Sequence, residues 1–128
     1  MITGTGIDIV SIDRFEKMFT KHEIRFKKKF FTQQEIIASK NKITFFAGRF
    51  TAKEAISKAL GCGFGQKLKW LDLEILPNKN GKPVLTKNNI ITNLVGTNFE
   101  CFISISHEKN YAVSNAIICL TQDKTGGL

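Results

Sequence analysis

The feature that most constrains the fold is the stretch TFFAGRFTAKEAISKAL, residues 44–60. It contains no proline and is dense in Ala, Leu, Lys and Glu, which favour helices. Gly61 follows directly, at the position where a residue with positive φ commonly ends a helix. The stretch therefore predicts one long helix, against which the rest of the chain has to pack.

Segments on both sides of this helix predict strands. Residues 2–10 are rich in β-branched side chains and carry two glycines, which suits a strand that another element approaches closely. WLDLEIL alternates apolar and polar side chains, and the Asn-Gly pair in the following PNKNGKP predicts a hairpin turn. FECFISIS and YAVSNAIICL predict two further strands joined by HEKN. This order predicts an α+β domain, with an antiparallel sheet against which the long helix packs.

Three shorter helices are predicted from capping residues and apolar spacing. Ser11 or Asp13 can cap the first of them. Thr32 with Glu35 has the pattern of a capping box, which predicts a second helix through residue 39. Residues 86–95 carry apolar side chains on one side and predict the third.

Length and composition indicate one domain, residues 1–128. With 128 residues and 42% hydrophobic side chains, the chain can bury a core without metals or disulfides. No run of about 18 apolar residues marks a membrane span and the start lacks a secretory signal, so we expect a cytoplasmic protein with no membrane partner. The three cysteines are widely spaced and predict neither a disulfide framework nor a zinc site. We expect the polar tail, residues 121–128, to be frayed.

Positive charge is concentrated in the first half of the chain. The net charge is +8, and residues 1–60 carry twelve Lys and Arg against six Asp and Glu. This asymmetry indicates an anionic partner, which can be nucleic acid, a phosphate-rich small molecule or an acidic protein surface.

Asp8 stands between Ile7 and Ile9 in the middle of the first predicted strand. Burial of an unpaired carboxylate costs several kcal/mol, so such a side chain needs compensation. Three interpretations follow: the carboxylate is hydrogen-bonded, it binds a metal, or it turns to solvent at a sheet edge.

Glu54 and Lys58 lie four residues apart on the long helix and project from one face, with Ser57 beside them. The simplest interpretation of this spacing is a surface ion pair. The alternative is that Glu54 meets the strand carboxylate Asp8 around one Mg²⁺, which favours one or two carboxylates together with water and phosphate oxygens. Lys58 would then neutralise a phosphate beside the metal.

Two further patterns are weak by themselves. His107 follows the alternating ISIS run at a strand end, where ligand-facing residues often lie, but lone histidines are more often structural. Ser106 makes no catalytic couple with it, because adjacent strand residues point to opposite faces. GCGFG lacks the Gly-Lys-Ser/Thr ending of the nucleotide-binding loop and follows a helix where that loop precedes one.

Several segments together resemble one enzyme family in order and spacing. They are GIDIV, AGRFTAKEAISKALGCGFG, DLEI, NGKPV and ISISHEKNYAVSNAII, and they extend over residues 5–118. The chain resembles the holo-[acyl-carrier-protein] synthases, the short 4′-phosphopantetheinyl transferases, and the resemblance implies their fold. Its most specific part is FTAKEAISKA, taken together with the N-terminal Asp and the late Ser-His.

The resemblance implies a site built from residues far apart in the chain. Asp8 and Glu54 would bind Mg²⁺ and Lys58 would approach the phosphates of coenzyme A, so these three are the implied catalytic residues. The other positions implied to hold or border the coenzyme are Arg49, Ser57, Gly61, Gly63, Gly65, Lys82, Pro83 and His107. A bound cation would then explain why a carboxylate is tolerated among isoleucines.

The implied reaction moves the 4′-phosphopantetheine group of coenzyme A to a serine of apo acyl carrier protein, releasing adenosine 3′,5′-bisphosphate, and serves fatty acid biosynthesis. The nucleophile arrives on the partner, so this chain needs none. Acyl carrier proteins are small and acidic, which makes a basic surface with two apolar anchors the expected docking site. Its predicted residues are Arg14, Lys17, Met18, Lys21, Arg25 and Phe26.

The same resemblance implies a homotrimer, because short members of the family share active sites between subunits.

Two other functions compete with the transferase. A metal-dependent nuclease would carry its Glu-x-Lys pair on a strand, whereas Glu54 and Lys58 have helical spacing. A nucleic-acid-binding module would stack bases on the aromatics of RFKKKFF, although these are more simply core residues. The resemblance favours the transferase, without nucleic acid as a partner.

Overall fold

A three-stranded antiparallel sheet and one long helix form the centre of the molecule. The computed structural model describes residues 1–121. Its strands are β1 (Ile2–Ser11), β2 (Glu74–Pro77), β3 (Pro83–Lys87), β4 (Phe99–His107) and β5 (Tyr111–Leu120), and its helices are α1 (Ile12–Lys21), α2 (Glu23–Phe30), α3 (Gln33–Ser39), α4 (Ile43–Leu60) and α5 (Asn89–Val95). The large sheet has the order β1-β5-β4, and β2 pairs with β3 in a separate hairpin. The predicted α+β class, antiparallel pairing and packed long helix are confirmed.

Helix α4 lies across the large sheet and contacts all three of its strands. It begins at Ile43, one residue before the predicted start, and ends at Leu60 as predicted. Gly61 caps it in the left-handed region, with φ of 76°. The helix is therefore the element that carries side chains over the sheet.

Two glycines bring α4 into direct contact with β1. A Cβ built at Gly4 would lie 1.9 Å from the carbonyl oxygen of Ala59, and one built at Gly6 would lie 1.9 Å from that of Ala55. These oxygens belong to the helix backbone and cannot rotate away. The close approach predicted from the two glycines of this strand is thus confirmed.

Phenylalanines of α1, of α2 and of the link after α2 pack against the start of α4. Phe15, Phe26, Phe31 and Phe46 are buried in this second core. The ring of Phe26 packs edge-on against that of Phe15, with centroids 5.6 Å apart and planes at 85°. The prediction of Phe26 as an apolar docking anchor is therefore wrong, since this side chain is needed inside. Because Phe26 and Phe31 are buried, their rings cannot stack on nucleic-acid bases.

Two elements differ from the predictions because of contacts distant in sequence. WLDLEIL is not one strand: Trp70–Asp72 forms a 3₁₀ turn, and β2 begins only at Glu74. Nζ of Lys87 donates to the carbonyl of Leu71 in this turn at 2.8 Å. The helix predicted for residues 86–95 begins at Asn89, because β3 continues to Lys87 along its partner strand.

The capping predictions are resolved by hydrogen bonds. Ser11 caps α1, and its Oγ accepts from the backbone N–H of Arg14 at 3.3 Å. Both halves of the capping box of Thr32 and Glu35 are present.

Within residues 1–121 no helix has the length and apolarity to cross a membrane. The prediction of a frayed tail concerns residues 121–128. The backbone N–H of Thr121 donates to the carbonyl of Asn98 at 3.1 Å, and residues 122–128 lie outside the described part of the chain.

Candidate active site

Asp8 projects from β1 toward α4. Along this strand the side chains alternate, so that Asp8 shares the helix-facing side with Gly4 and Gly6, while Ile7 and Ile9 are exposed on the other. Its register partner on β5 is Ser114, which is buried against the helix. The strand therefore delivers a carboxylate to the edge of the helix–sheet contact.

Lys58 reaches from the last turns of α4 to this carboxylate. Its Nζ donates to Oδ1 of Asp8 at 3.0 Å and to the backbone carbonyl of Ile7 at 3.0 Å. Asp8 is 19% exposed and Lys58 is half exposed, so the pair is open to solvent. Of the three interpretations of Asp8, the hydrogen-bonded one is observed. The ion pair that Lys58 makes in the described part of the chain is with Asp8, and the predicted surface pair with Glu54 is wrong.

Glu54 is the second carboxylate of the site and lies one turn before Lys58. Burial raises the pKa of its carboxyl, the negative charge of Asp8 raises it further, and Lys58 opposes both effects. The two carboxylates are therefore close enough to repel each other, which is the arrangement that a cation stabilises. No third His, Cys, Asp or Glu joins them to form a metal-binding group in residues 1–121. Two carboxylates alone suit Mg²⁺, which takes its other ligands from water and substrate phosphates.

Ser57 and Arg49 stand apart from this pair of carboxylates. The hydroxyl of Ser57 is buried and donates to the carbonyl of Glu54 at 2.7 Å. Arg49 precedes Lys58 by nine residues, which places it about 180° around the helix and roughly 13 Å along it. It therefore points away from Asp8 within the same chain.

The guanidinium of Arg49 is largely buried. Its Nε donates to the carbonyl of Ile75 at 3.1 Å, and the group lies 4.0 Å from the ring centroid of Phe45. Burial lowers the pKa of Arg49 to about 10, against the opposing effect of Glu35. At neutral pH the group keeps its charge.

His107 is exposed at the end of β4 and is not brought to Asp8. In the sheet Asp8 is level with Ser114 and Ile105. His107 lies two residues further along and two strands away, which corresponds to roughly 12 Å between Cα atoms. Within one chain it cannot share a small ligand group with the carboxylates.

The glycine loop and the hairpin turn are open surfaces. A Cβ at Gly61, Gly63 or Gly65 would meet no atom within 4 Å, and the first two have φ of 76° and 62°. In the turn between β2 and β3, the backbone N–H of Lys82 donates to Oδ1 of Asn78 at 3.0 Å, and Pro83 begins β3. Both segments leave backbone accessible, as a bound nucleotide requires, and the loop directly follows the helix that carries Lys58.

The sequence reasoning missed a buried ion pair beside Glu54. Nζ of Lys53 lies 2.8 Å from Oε1 of Glu35, and it also donates to the carbonyls of Phe30 (2.8 Å) and Trp70 (3.2 Å). Both side chains are fully buried. Burial lowers the pKa of Lys53, and the neighbouring Glu35 opposes this shift. The available signal was Lys53, which directly follows Ala52 on the long helix predicted to pack against the sheet, because a buried lysine is almost always paired.

Three aromatic rings, those of Phe50, Trp70 and Phe64, stack on one another next to α4. The ring of Trp70 stacks on Phe64 with centroids 3.8 Å apart and on Phe50 with centroids 4.8 Å apart. A cavity of about 480 Å³ opens beside Phe64 and Trp70, with Lys29 and Lys87 in its lining. Phe50 precedes Glu54 by one turn of α4, so the stacked rings reach the side of the helix that carries Glu54.

The family model and the similar proteins indicate the same family. The model of the 4′-phosphopantetheinyl transferase superfamily matches residues 4–119. A holo-[acyl-carrier-protein] synthase of Halalkalibacterium halodurans is 42% identical over 123 residues, which are 92% of this chain and 96% of that protein. One of Geobacillus sp. (strain WCH70) is 38% identical over 123 residues, with 92% and 97% covered.

Solved structures of similar proteins share the fold. The holo-[acyl-carrier-protein] synthase of Helicobacter pylori in complex with coenzyme A superposes with a TM-score of 0.83 at 34% identity, covering 89% of this chain and 98% of that one. The corresponding enzyme of Bacillus anthracis, in complex with CoA (3′,5′-ADP), gives 0.80 at 37% identity, covering 94% and 99%.

Proposed function

Because the chain belongs to the 4′-phosphopantetheinyl transferase superfamily, we propose that it transfers the 4′-phosphopantetheine group of coenzyme A to a serine of apo acyl carrier protein, as a cytoplasmic step of fatty acid biosynthesis. The relatives bear the name of this activity, and two solved ones bind the coenzyme or its nucleotide. The observation that carries the proposal is the meeting of Asp8, Glu54 and Lys58 at the edge between β1 and α4.

The chemistry is a displacement at phosphorus. The serine oxygen forms a bond to the phosphorus that bears pantetheine, while the bond from that phosphorus to the bridging oxygen breaks and adenosine 3′,5′-bisphosphate leaves with the electron pair. Lys58 donates hydrogen bonds to phosphate oxygens and stabilises the charge that grows on them. Two groups are candidate acceptors of the serine proton: a water held at the proposed cation, and Glu54, whose pKa is raised by burial and by Asp8.

We propose Asp8 and Glu54 as the ligands of Mg²⁺. The cation would neutralise charge at the pyrophosphate of the coenzyme. Glu54 fits this role, since burial and the negative charge of Asp8 raise the pKa of its carboxyl and make its ionised form unfavourable without a cation. The chain's part is to hold these oxygens at a fixed separation, with Lys58 beside them.

We propose a homotrimer in which each site is shared between subunits. Arg49 and Lys58 project from opposite sides of α4, so one coenzyme can touch both types of residue only if a neighbouring chain supplies Arg49 and His107. The sheet face opposite α4 supports such an association, because it leaves large apolar side chains exposed. They are Ile7, Ile9, Phe102 and Tyr111.

The docking surface for the carrier protein is proposed on the exposed side of α1 and the start of α2. Arg14, Lys17, Lys21 and Arg25 are exposed there, and they complement an acidic partner. Met18, which is 47% exposed, is the remaining apolar anchor after the exclusion of Phe26.

The direct test is intact-mass spectrometry of apo acyl carrier protein incubated with the protein, coenzyme A and Mg²⁺. The expected result is a gain of one phosphopantetheinyl group, and none on a carrier whose acceptor serine is replaced by alanine. Omission of Mg²⁺ in the presence of a chelator tests the metal requirement. An unmodified carrier in the complete mixture would refute the proposed function.

A further inference from the structure

The contact between Lys58 and Asp8 occupies the same carboxylate that the proposed metal site uses. The ammonium donates to Oδ1 of Asp8 and to the carbonyl of Ile7, both at 3.0 Å, so it bridges the helix and the strand. A divalent cation on Asp8 would bring a second positive centre to this carboxylate. Like charges that both contact one carboxylate repel each other strongly.

The surroundings leave the ammonium room to move. The side chain of Lys58 is half exposed, and its stem is flexible. It borders a hollow of about 410 Å³ whose other lining residues are Thr5, Gly6, Ile7 and Asn115. A displaced ammonium can therefore swing away from Asp8 without any shift of the backbone.

We infer that Lys58 and the divalent cation exchange at Asp8: arrival of the cation releases the ammonium from Asp8, and the released ammonium binds a phosphate of coenzyme A. This inference rests on the proposed function. Glu54, the other anion on this face of the helix, is itself a ligand of the cation in this arrangement. The coenzyme phosphate is then the anion that remains for Lys58.

The exchange couples the two ligands. The cation prepares the phosphate-binding lysine, and the coenzyme in turn keeps that lysine from returning to Asp8. By thermodynamic linkage each ligand raises the affinity for the other by the same factor. Lys58 thereby prevents tight metal binding until coenzyme is present.

The first test measures the affinity of the protein for Mn²⁺, which replaces Mg²⁺ as a spectroscopic probe. The free Mn²⁺ is measured by electron paramagnetic resonance, in the absence of coenzyme. Lys58→Met removes the competitor and is expected to bind Mn²⁺ about tenfold or more tightly, the equivalent of one hydrogen bond to a charged group. The matched control Lys109→Met removes the same charge in the turn after β4 and is expected to bind like the unaltered chain. Equal affinities for the two variants would overturn the inference.

The second test separates displacement from simple repulsion. In a crystal structure of the unaltered protein with Mn²⁺ and no coenzyme, Nζ of Lys58 is expected to lie beyond about 4 Å from both oxygens of Asp8, outside hydrogen-bond range. An ammonium still hydrogen-bonded to Asp8 next to bound Mn²⁺ would refute the exchange. The mass assay on the same preparation distinguishes the two claims: transfer without displacement refutes only the exchange, whereas no transfer refutes the proposed function.

Discussion

Asp8 and Glu54 differ in how their charge is compensated. The carboxylate of Asp8 receives the ammonium of Lys58 at 3.0 Å. Glu54 is partly buried beside a like charge, and its raised pKa records that its ionised form is unfavourable in the fold. A side chain kept at a cost to stability, in a cleft with an opposite charge nearby, is typical of a functional site.

Glu54→Gln is expected to lower the rate of phosphopantetheine transfer by at least about 100-fold, since loss of even an indirect partner of a metal ligand costs 10- to 100-fold. The same substitution is expected to raise the melting temperature at neutral pH, because it removes a carboxyl that burial and Asp8 hold in an unfavourable ionised form. Transfer is measured by intact mass and stability by thermal unfolding. A variant that transfers at the full rate would remove Glu54 from the site.

The pH dependence of that stability gain follows from the direction of the shift. A carboxyl whose pKa is higher in the folded than in the unfolded chain opposes folding above its folded pKa and has no effect once both states are protonated. The gain from Glu54→Gln should therefore be full at pH 8 and disappear well below the ordinary pKa of glutamate. Melting curves of both proteins that diverge toward acid pH would contradict this sign.

At the scale of elements, the contact between α4 and β1 depends on the absence of side chains. The backbone of the helix occupies the space where Gly4 and Gly6 would carry a Cβ. Lys58 and Asp8 sit on the two sides of this contact, 50 residues apart in the chain. The separation of helix and strand thus determines whether the two charged groups meet.

Gly6→Ala is expected to destabilise the protein by about 1–3 kcal/mol or more, because the methyl group would force the helix away from the strand. Transfer activity should fall as well, since the helix carries Glu54 and Lys58 away from Asp8. The control is Gly65→Ala, where a Cβ meets no atom within 4 Å, and its melting temperature should stay unchanged. Equal melting temperatures for the two variants would show that the contact is looser than described.

The pair of Lys53 and Glu35 joins α4 to α3. Lys53→Met leaves a buried carboxylate without its counter-charge and is expected to cost about 3–5 kcal/mol in the free energy of unfolding. Lys17→Met removes a lysine whose partner Asp13, at 3.2 Å, is exposed, and should cost less than about 1 kcal/mol. Urea denaturation of both variants measures the difference, and similar losses would contradict a buried pair.

Local signals predicted some elements and long-range contacts decided others. The composition of residues 44–60 and the Asn-Gly turn are local, and both α4 and the hairpin follow from them. The 3₁₀ turn at Trp70–Asp72 depends on distant donors, among them Nζ of Lys87, which lies 2.8 Å from the carbonyl of Leu71. In the site, the spacing placed Glu54 and Lys58 on one face but could not reveal that Lys58 bonds to Asp8, since no pattern links positions 50 residues apart.

At the scale of the whole molecule, charge and apolar surface lie on different faces. The basic side chains of α1 face solvent, whereas exposed isoleucines occupy the outer side of the large sheet. The basic surface of α1 suits a transient complex with an acidic partner. The apolar outer side of the sheet suits a permanent interface with identical chains. Each surface leads to a separate prediction.

Charge reversal at the docking surface, Arg14→Glu with Lys21→Glu, is expected to raise the apparent KM for carrier protein about tenfold by slowing encounter, with little change in coenzyme binding. The control reverses two lysines in turns, Lys79→Glu with Lys109→Glu, and makes the same change in net charge. Steady-state kinetics with varied carrier give the comparison. If both doubles behave alike, net charge and not this surface governs the encounter.

Ile9→Lys is expected to abolish trimer formation, because it places a charge in the proposed interface. Ile37→Lys makes the same change on α3 at a side chain with the same exposed fraction, 61%, and should leave the oligomer intact. Sedimentation velocity distinguishes the two forms. A stable, fully active monomer of the unaltered chain would contradict the shared site.

The glycine contact between β1 and α4 has a consequence for sequence drift. Distances set by interlocking side chains change whenever a core residue is substituted, whereas here main-chain atoms touch main-chain atoms. A contact between backbone atoms does not depend on side-chain rotamers or side-chain volume. It requires only that positions 4 and 6 remain glycine. The remainder of the interior is free to diversify over generations while the charged groups keep their alignment.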